Sequence, residues 1–164
     1  MAPDRLISYI IPVYNEAENI PRVINELRAI LATIPYRSEI IFVNDGSEDG
    51  SGLILRQITA ADSTVAVIEF TRNFGKEAAT SAGIERCSGA ACMILDGDLQ
   101  HPINRIPDFI LEWERGTEVV VGVRAHEAGK GLLRTLGSKF FYLLMRLVGD
   151  THITPHATDF RLLD

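Results

Sequence analysis

Hydrophobic and polar positions come in alternating blocks along this chain, and the blocks change period. Residues 6–13 form an almost unbroken apolar run, interrupted only by Ser8, Tyr9 and Pro12, which predicts a strand buried on both faces. Residues 15–19 are a polar turn. From Ile20 onward, Ile20, Val23, Ile24, Leu27, Ile30 and Leu31 recur at helical spacing, and Pro21 suits a first helical turn. The same reading predicts strands over 39–43, 65–70, 91–95 and 118–123, and helices over 53–61, 76–84 and 103–113. Residues 160–164 read as one more strand in progress, so the chain is expected to be a piece of a longer protein.

Strands that alternate with helices predict an α/β fold: a mostly parallel sheet with helices on both faces. Ligands of such sheets gather beyond the carboxyl ends of the strands. Four polar clusters follow predicted strands, at 14–16, 44–49, 71–76 and 96–100, and are expected to converge on one rim.

Composition narrows the picture. The 164 residues suit one domain, and 46% hydrophobic with 23% charged residues is a soluble globular profile. The net charge of -6 argues against nucleic acid as a partner. The bases are unevenly spread: Arg124, Lys130, Arg134, Lys139 and Arg146 face a single acid, Glu127, over 124–146, which invites an anionic partner there. Within that segment Leu136, Phe140, Leu143, Leu144 and Leu147 keep helical spacing. Residues 132–148 are therefore a candidate amphipathic helix, suited either to a membrane interface or to a core. No apolar run approaches the ~20 residues that span a bilayer, and Asp4 and Arg5 lead straight into the first strand, so no leader is expected. Cys87 and Cys92 lack zinc spacing and are expected to be reduced, buried thiols. Pro155 separates His152 from His156, which argues against a helical metal pair, and Trp113 is expected in the core.

The strongest chemical signal is the run from Met93 to Pro102, in which Asp96 and Asp98 leave a strand one residue apart, with Gln100 on the same parity. Hard oxygen ligands in this pattern suit Mg²⁺ or Mn²⁺ holding a diphosphate, while a plain polar strand exit reads equally well. Asn44 and Asp45 at a second strand end can meet a ribose or a nucleobase imide, or can form an Asx turn. Tyr14 and Glu16 offer a ring and a carboxylate, although Glu16 also suits a helix start. The segment Arg72-Asn73-Phe74-Gly75-Lys76-Glu77 reads as a loop entering a helix, where N–H groups and Lys76 can meet anions. Neither the P-loop nor the G-x-G-x-x-G spacing is present. A phosphatase using an Asp-x-Asp nucleophile usually has Gly-Thr after the motif near its N-terminus. Here Leu99-Gln100-His101-Pro102 follows in mid-chain.

Taken together, Ile11 to Glu16, Asn44 to Gly50, Arg72 to Ala78 with Ala82-Gly83, Asp96 to Pro102, Val121 to Arg124 and Asp159 to Asp164 resemble the family 2 glycosyltransferases. Within that family they are most similar to polyprenyl-phosphate sugar transferases of the dolichyl-phosphate mannose synthase and bactoprenol glucosyltransferase type. The resemblance implies a GT-A (nucleotide-diphospho-sugar transferase) fold over 1–164, cut short at its C-terminus. It implies an inverting transfer from an NDP-sugar, UDP-glucose or GDP-mannose, to a polyprenyl or dolichyl phosphate at the cytoplasmic face of a membrane. The longer protein can be a homo-oligomer. The alternatives are a transferase with a saccharide acceptor and an NDP-sugar-binding domain without turnover.

By the same resemblance Pro12, Tyr14, Glu16, Val43 and Asp45 line the nucleotide pocket, and Asp96 and Gly97 lie beside the ribose and diphosphate. Asp98 and Gln100 hold the metal with Asp96 nearby; Arg124 and Arg134 approach phosphates; Ser138 helps to hold the acceptor phosphate. Asp96, Asp98 and Arg124 are the expected catalytic residues. Asn44 departs from the family pattern, which usually has an acid there.

Overall fold

A computed structural model of the chain describes residues 5–97, 102–123 and 157–164. The chain divides into one compact unit, 1–121 with 159–164, and a second, 122–158. Of the second unit only 122–123 and 157–158 are described.

The elements run β1 (Leu6–Val13), α1 (Ile20–Leu31), β2 (Arg37–Asn44), α2 (Ser51–Ala61), β3 (Val65–Glu69), α3 (Lys76–Arg86), β4 (Ala91–Ile94), a 3₁₀ turn (Ile103–Arg105), α4 (Ile106–Glu114), β5 (Val119–Val123) and β6 (Ala157–Leu163). They form one six-stranded sheet in the order β3-β2-β1-β4-β6-β5. The pairs β1–β2, β1–β4 and β2–β3 are parallel, while β4–β6 is antiparallel. The expected mostly parallel sheet is therefore present. The last segment is a strand, as its apolar pattern predicts, but it enters the middle of the sheet between β4 and β5. The single predicted helix over 103–113 is split into the 3₁₀ turn and α4, whose start carries Pro107. A proline contributes no N–H and is at home in a first helical turn.

Side-chain alternation along β1 sorts the helices onto the two faces. Ile7, Tyr9, Ile11 and Val13 pack with Val23 and Leu27 of α1, Leu55 of α2 and Ile106, Phe109 and Trp113 of α4. Ile10 packs on the other face with Ile41, Val43 and Ala79 of α3. Trp113 is a core residue, as expected, 5.8 Å from the Tyr36 ring, with Nε1 donating to Asp164 Oδ1 at 2.6 Å. Cys92 is buried and Cys87 half-buried, both free thiols.

At the amino ends of the strands the polar groups satisfy one another. The Glu39 carboxylate accepts from the Ser8 hydroxyl and from Ser88 N at 2.7 Å, and Gly89 N donates to Ser8 Oγ at 2.9 Å. This explains how a serine with no exposure sits in β1.

The α3 helix lies close on its face of the sheet because Gly83 has no side chain. A Cβ there would stand 2.3 Å from Ile10 Cγ2. Gly83→Ala is expected to destabilise the fold by about 2 kcal/mol through overpacking, and Gly83→Val by more. Denaturant titration that left the midpoint of both variants unchanged would contradict this close approach.

Candidate functional site

The register sets where each strand lets go. Val13 lies opposite Asn44 and Asn44 opposite Glu69, so β1, β2 and β3 end level. β4 ends at Ile94, opposite Ile10, and the chain from 95 to 97 continues beside β1, with Leu95 N donating to Ile10 O at 2.9 Å. Gly97 is what allows this: a Cβ would stand 2.9 Å from Val13 Cγ1 and 3.2 Å from Pro12 O. Polar loops from four strands are thereby brought to one end of the sheet.

The loops after β1 and β2 are stitched together. Asn15, in the left-handed region at φ 55°, donates its N–H to Ser47 Oγ at 2.9 Å and accepts from Glu48 N through Oδ1 at 2.9 Å. Glu16 N donates to Ser51 Oγ at 3.0 Å, and Ala17 N to Asp49 Oδ2 at 3.1 Å. Desolvation is the largest single influence on Asp49 and pushes its carboxyl up, but the hydrogen bonds from Ser51 and Ala17 together outweigh it and hold the carboxyl below the ordinary range. Asn44 is buried, and its Oδ1 accepts from Ser47 N at 3.1 Å, an Asx-turn contact. Its side chain shapes the loop, which is the turn-forming reading of that residue. Glu16 accepts from Asn19 Nδ2 at 2.6 Å at the start of α1.

Asp45 ties the loop after β2 to the loop after β3. It is 3% exposed, with Oδ1 accepting from Phe74 N at 2.7 Å and Oδ2 from Gly75 N at 2.9 Å. Gly46 makes this possible with φ at 67°, since a Cβ there would stand 2.3 Å from the Arg72 carbonyl carbon. The Arg72 guanidinium lies 4.5 Å over the Phe74 ring, which meets Phe70 edge-on at 5.5 Å. These contacts hold the 72–75 strap in place.

Lys76 is the first residue of α3, and its Nζ lies between two carboxylates. It pairs with Asp96 Oδ1 and, at 2.6 Å, with Asp159 Oδ2 of β6. Burial disfavours the ammonium charge, but the hydrogen bonds to Asp159 and Asp96 outweigh it and raise the Lys76 pKa. Asp159 is held below the ordinary carboxyl range, first by its hydrogen bond to Lys76. Arg161 Nη2 also donates to Asp159 Oδ1, at 3.0 Å, and among the described residues its buried Nε has no hydrogen-bond partner.

Between these loops lies an open cavity of about 290 Å³, lined by Pro12, Val13, Tyr14, Glu16, Asp45, Asn73, Gly75, Lys76, Asp96 and Gly97. The structure thus brings together Pro12, Tyr14, Glu16, Asp45, Asp96 and Gly97, all expected at the site. Val43 is the exception. Its side chain is fully buried among Ile10, Ile41 and Ala79, because alternation in β2 turns it toward α3. Asp98, Gln100, Arg124, Arg134, Ser138 and the 132–148 segment lie outside the described residues. Asn73 arrives with the 71–76 cluster expected at this rim but was not singled out, having no distinctive chemistry of its own. The partnership of Lys76 with Asp159, 83 residues away, was not expected.

Among the described residues no three His, Cys, Asp or Glu groups cluster as a metal site. Asp96 is nevertheless suited to a hard cation. Asp45 is committed to two backbone N–H groups and Glu16 accepts from an amide, whereas Asp96 already receives a cationic group of the chain.

A sheet with helices on both faces and a polar cavity at the strand ends is the architecture of an α/β domain that binds its ligand beyond the carboxyl ends of its strands. The chain belongs to glycosyl transferase family 2, whose family model matches residues 8–163. It is 38% identical to a bactoprenol glucosyl transferase of Shigella phage SfV and 37% identical to a prophage bactoprenol glucosyl transferase homolog of Escherichia coli (strain K12). Both matches cover 157 residues, 96% of this chain and 51% of the relative. The chain therefore spans about half the length of these curated relatives. The GT-A fold is shared with mannosyl-3-phosphoglycerate synthase from Rubrobacter xylanophilus, at a TM-score of 0.70 and 19% identity over 98% of this chain and 53% of that one. It is shared also with glucosyl-3-phosphoglycerate synthase from Mycobacterium tuberculosis in complex with Mn²⁺, UDP-glucose and phosphoglyceric acid. That match has a TM-score of 0.65 and 20% identity, over 98% and 57% of the two chains.

Proposed function

We propose that this chain is the donor-binding part of a metal-dependent hexosyltransferase that moves a sugar from an NDP-sugar to a polyprenyl phosphate. The observation that supports it most is the cavity at the carboxyl ends of β1, β2 and β4, with Asp45 and Asp96 both in its wall. The curated relatives carry the name bactoprenol glucosyl transferase, which favours a polyprenyl phosphate acceptor and a UDP-glucose donor over GDP-mannose.

In this reading Pro12, Tyr14 and Glu16 border the nucleotide, and Asp45 fixes the strap whose Asn73 and Gly75 face it. Asp98 and Gln100, with Asp96, hold Mg²⁺ or Mn²⁺, which when bound neutralises charge growing on the departing diphosphate. Arg124 adds a planar cation for the same oxygens. Arg134 and Ser138 hold the acceptor phosphate, whose second pKa of about 6 leaves it largely dianionic at neutral pH. Such a nucleophile needs no strong general base, and attack opposite the leaving group inverts the anomeric centre. The basic, apolar segment 132–148 brings the domain to the cytoplasmic membrane surface. No described helix is long and apolar enough to cross a bilayer.

Thermal melting of the chain against UDP-glucose, GDP-mannose and UDP-N-acetylglucosamine tests this reading. We expect an upward shift of several degrees that requires Mn²⁺. A flat panel with metal present would refute donor binding. Metal-dependent binding without sugar transfer to a short polyprenyl phosphate would assign this chain to binding alone.

A further inference from the structure

We propose that Lys76 is a resident counter-cation that exchanges its partner during donor loading, passing from Asp96 to the diphosphate when a divalent ion arrives. The inference rests on the metal-dependent donor reading above and adds a role for a residue that reading leaves without one.

Three observations carry it. Lys76 Nζ bridges Asp96 and Asp159, so a carboxylate just past β4 and one from β6 share one ammonium in the wall of the cavity. A divalent ion taking Asp96 as a ligand meets that ammonium at close range, and like charges around one carboxylate oppose each other. Asp159 has a second cation, Arg161, at 3.0 Å, so it stays compensated when Lys76 turns away. Lys76 is anchored at the start of α3, beside the Asp45-bound strap, and its side chain is 42% exposed. A four-carbon stem with a compact charge suits a short swing between carboxylate and phosphate oxygens. Before loading, the ammonium keeps Asp96 and Asp159 from repelling each other. After loading, the same charge adds to the cations around the diphosphate.

The two halves of the exchange predict opposite signs. Lys76→Met removes the competitor of the metal, and binding of Mn²⁺ alone, read by electron paramagnetic resonance of the free ion, is expected to tighten about tenfold. In saturating Mn²⁺ the same variant is expected to bind UDP or GDP, whichever the unaltered chain takes up, about tenfold more weakly. Lys76→Arg keeps the charge and should stay within about twofold of the unaltered chain for Mn²⁺. A residue that only propped up the pocket would weaken both ligands together when replaced. Mn²⁺ affinity that is unchanged or reduced in Lys76→Met overturns the exchange, as does unchanged nucleotide affinity. An unaltered chain that takes up neither Mn²⁺ nor either nucleotide removes the donor reading itself, and the exchange falls with it.

Discussion

Asp45→Ala is expected to lower stability by about 3 kcal/mol, because it leaves the N–H groups of Phe74 and Gly75 without their charged acceptor. For a chain of this size the thermal midpoint should fall by about 8 °C. The carboxylate is 3% exposed and joins the loops after β2 and β3, so its loss also frees the 72–75 strap beside the cavity. Nucleotide affinity in Mn²⁺ should therefore drop by at least about 30-fold, since binding must then order the strap as well. Asp45→Asn offers one acceptor oxygen instead of two and should fall between. Calorimetric titration and a melting curve on the two variants check both effects. An alanine variant with unaltered melting would show that the two backbone bonds contribute nothing.

Asp96→Ala should separate binding from folding. Its carboxylate meets a half-exposed ammonium that keeps Asp159 as a partner, so stability should change by no more than about 1 kcal/mol. The metal-dependent part of nucleotide binding should fall about 100-fold, the loss of one hard ligand at a divalent site. Nucleotide titrations with and without Mn²⁺ measure that difference directly. Equal affinity for Mn²⁺-loaded nucleotide in the variant and the parent would remove Asp96 from the metal assignment.

Local pattern was enough to read most of the fold. The period of α1 is legible because Ile20, Val23, Ile24 and Leu27 form one stripe, and all four are buried against the sheet. The strands β1, β2 and β4 are legible because both of their faces are covered, which leaves little room for polar residues. What local pattern does not encode is pairing. Nothing in the run from Ala157 to Leu163 distinguishes an antiparallel strand beside β4 from another parallel one.

At the site, strand parity and turn chemistry were enough to gather the polar clusters, and the cavity contains six of the residues expected there. Parity also explains Val43, which alternation turns toward α3 while Asp45, past the strand end, bends to the strap. The bridge from Lys76 to Asp159 was not legible, because it spans 83 residues and depends on where β6 enters the sheet. Asn44 illustrates the converse. Its local turn-forming tendency describes what it does here, where its side-chain oxygen caps Ser47.

The position of β6 has a consequence for biosynthesis. Among the described residues β5 has a single neighbouring strand, β6, which follows it in the sequence. A nascent chain emerging from the ribosome can assemble β1 to β4 with their helices, but β5 meets the strand it pairs with among the described residues only when residues 157–163 follow. The carboxylate that holds Lys76 arrives in that same late stretch. The pairing of β5 with β6 and the Asp159 arm of the ionic bridge therefore wait on the same stretch of chain.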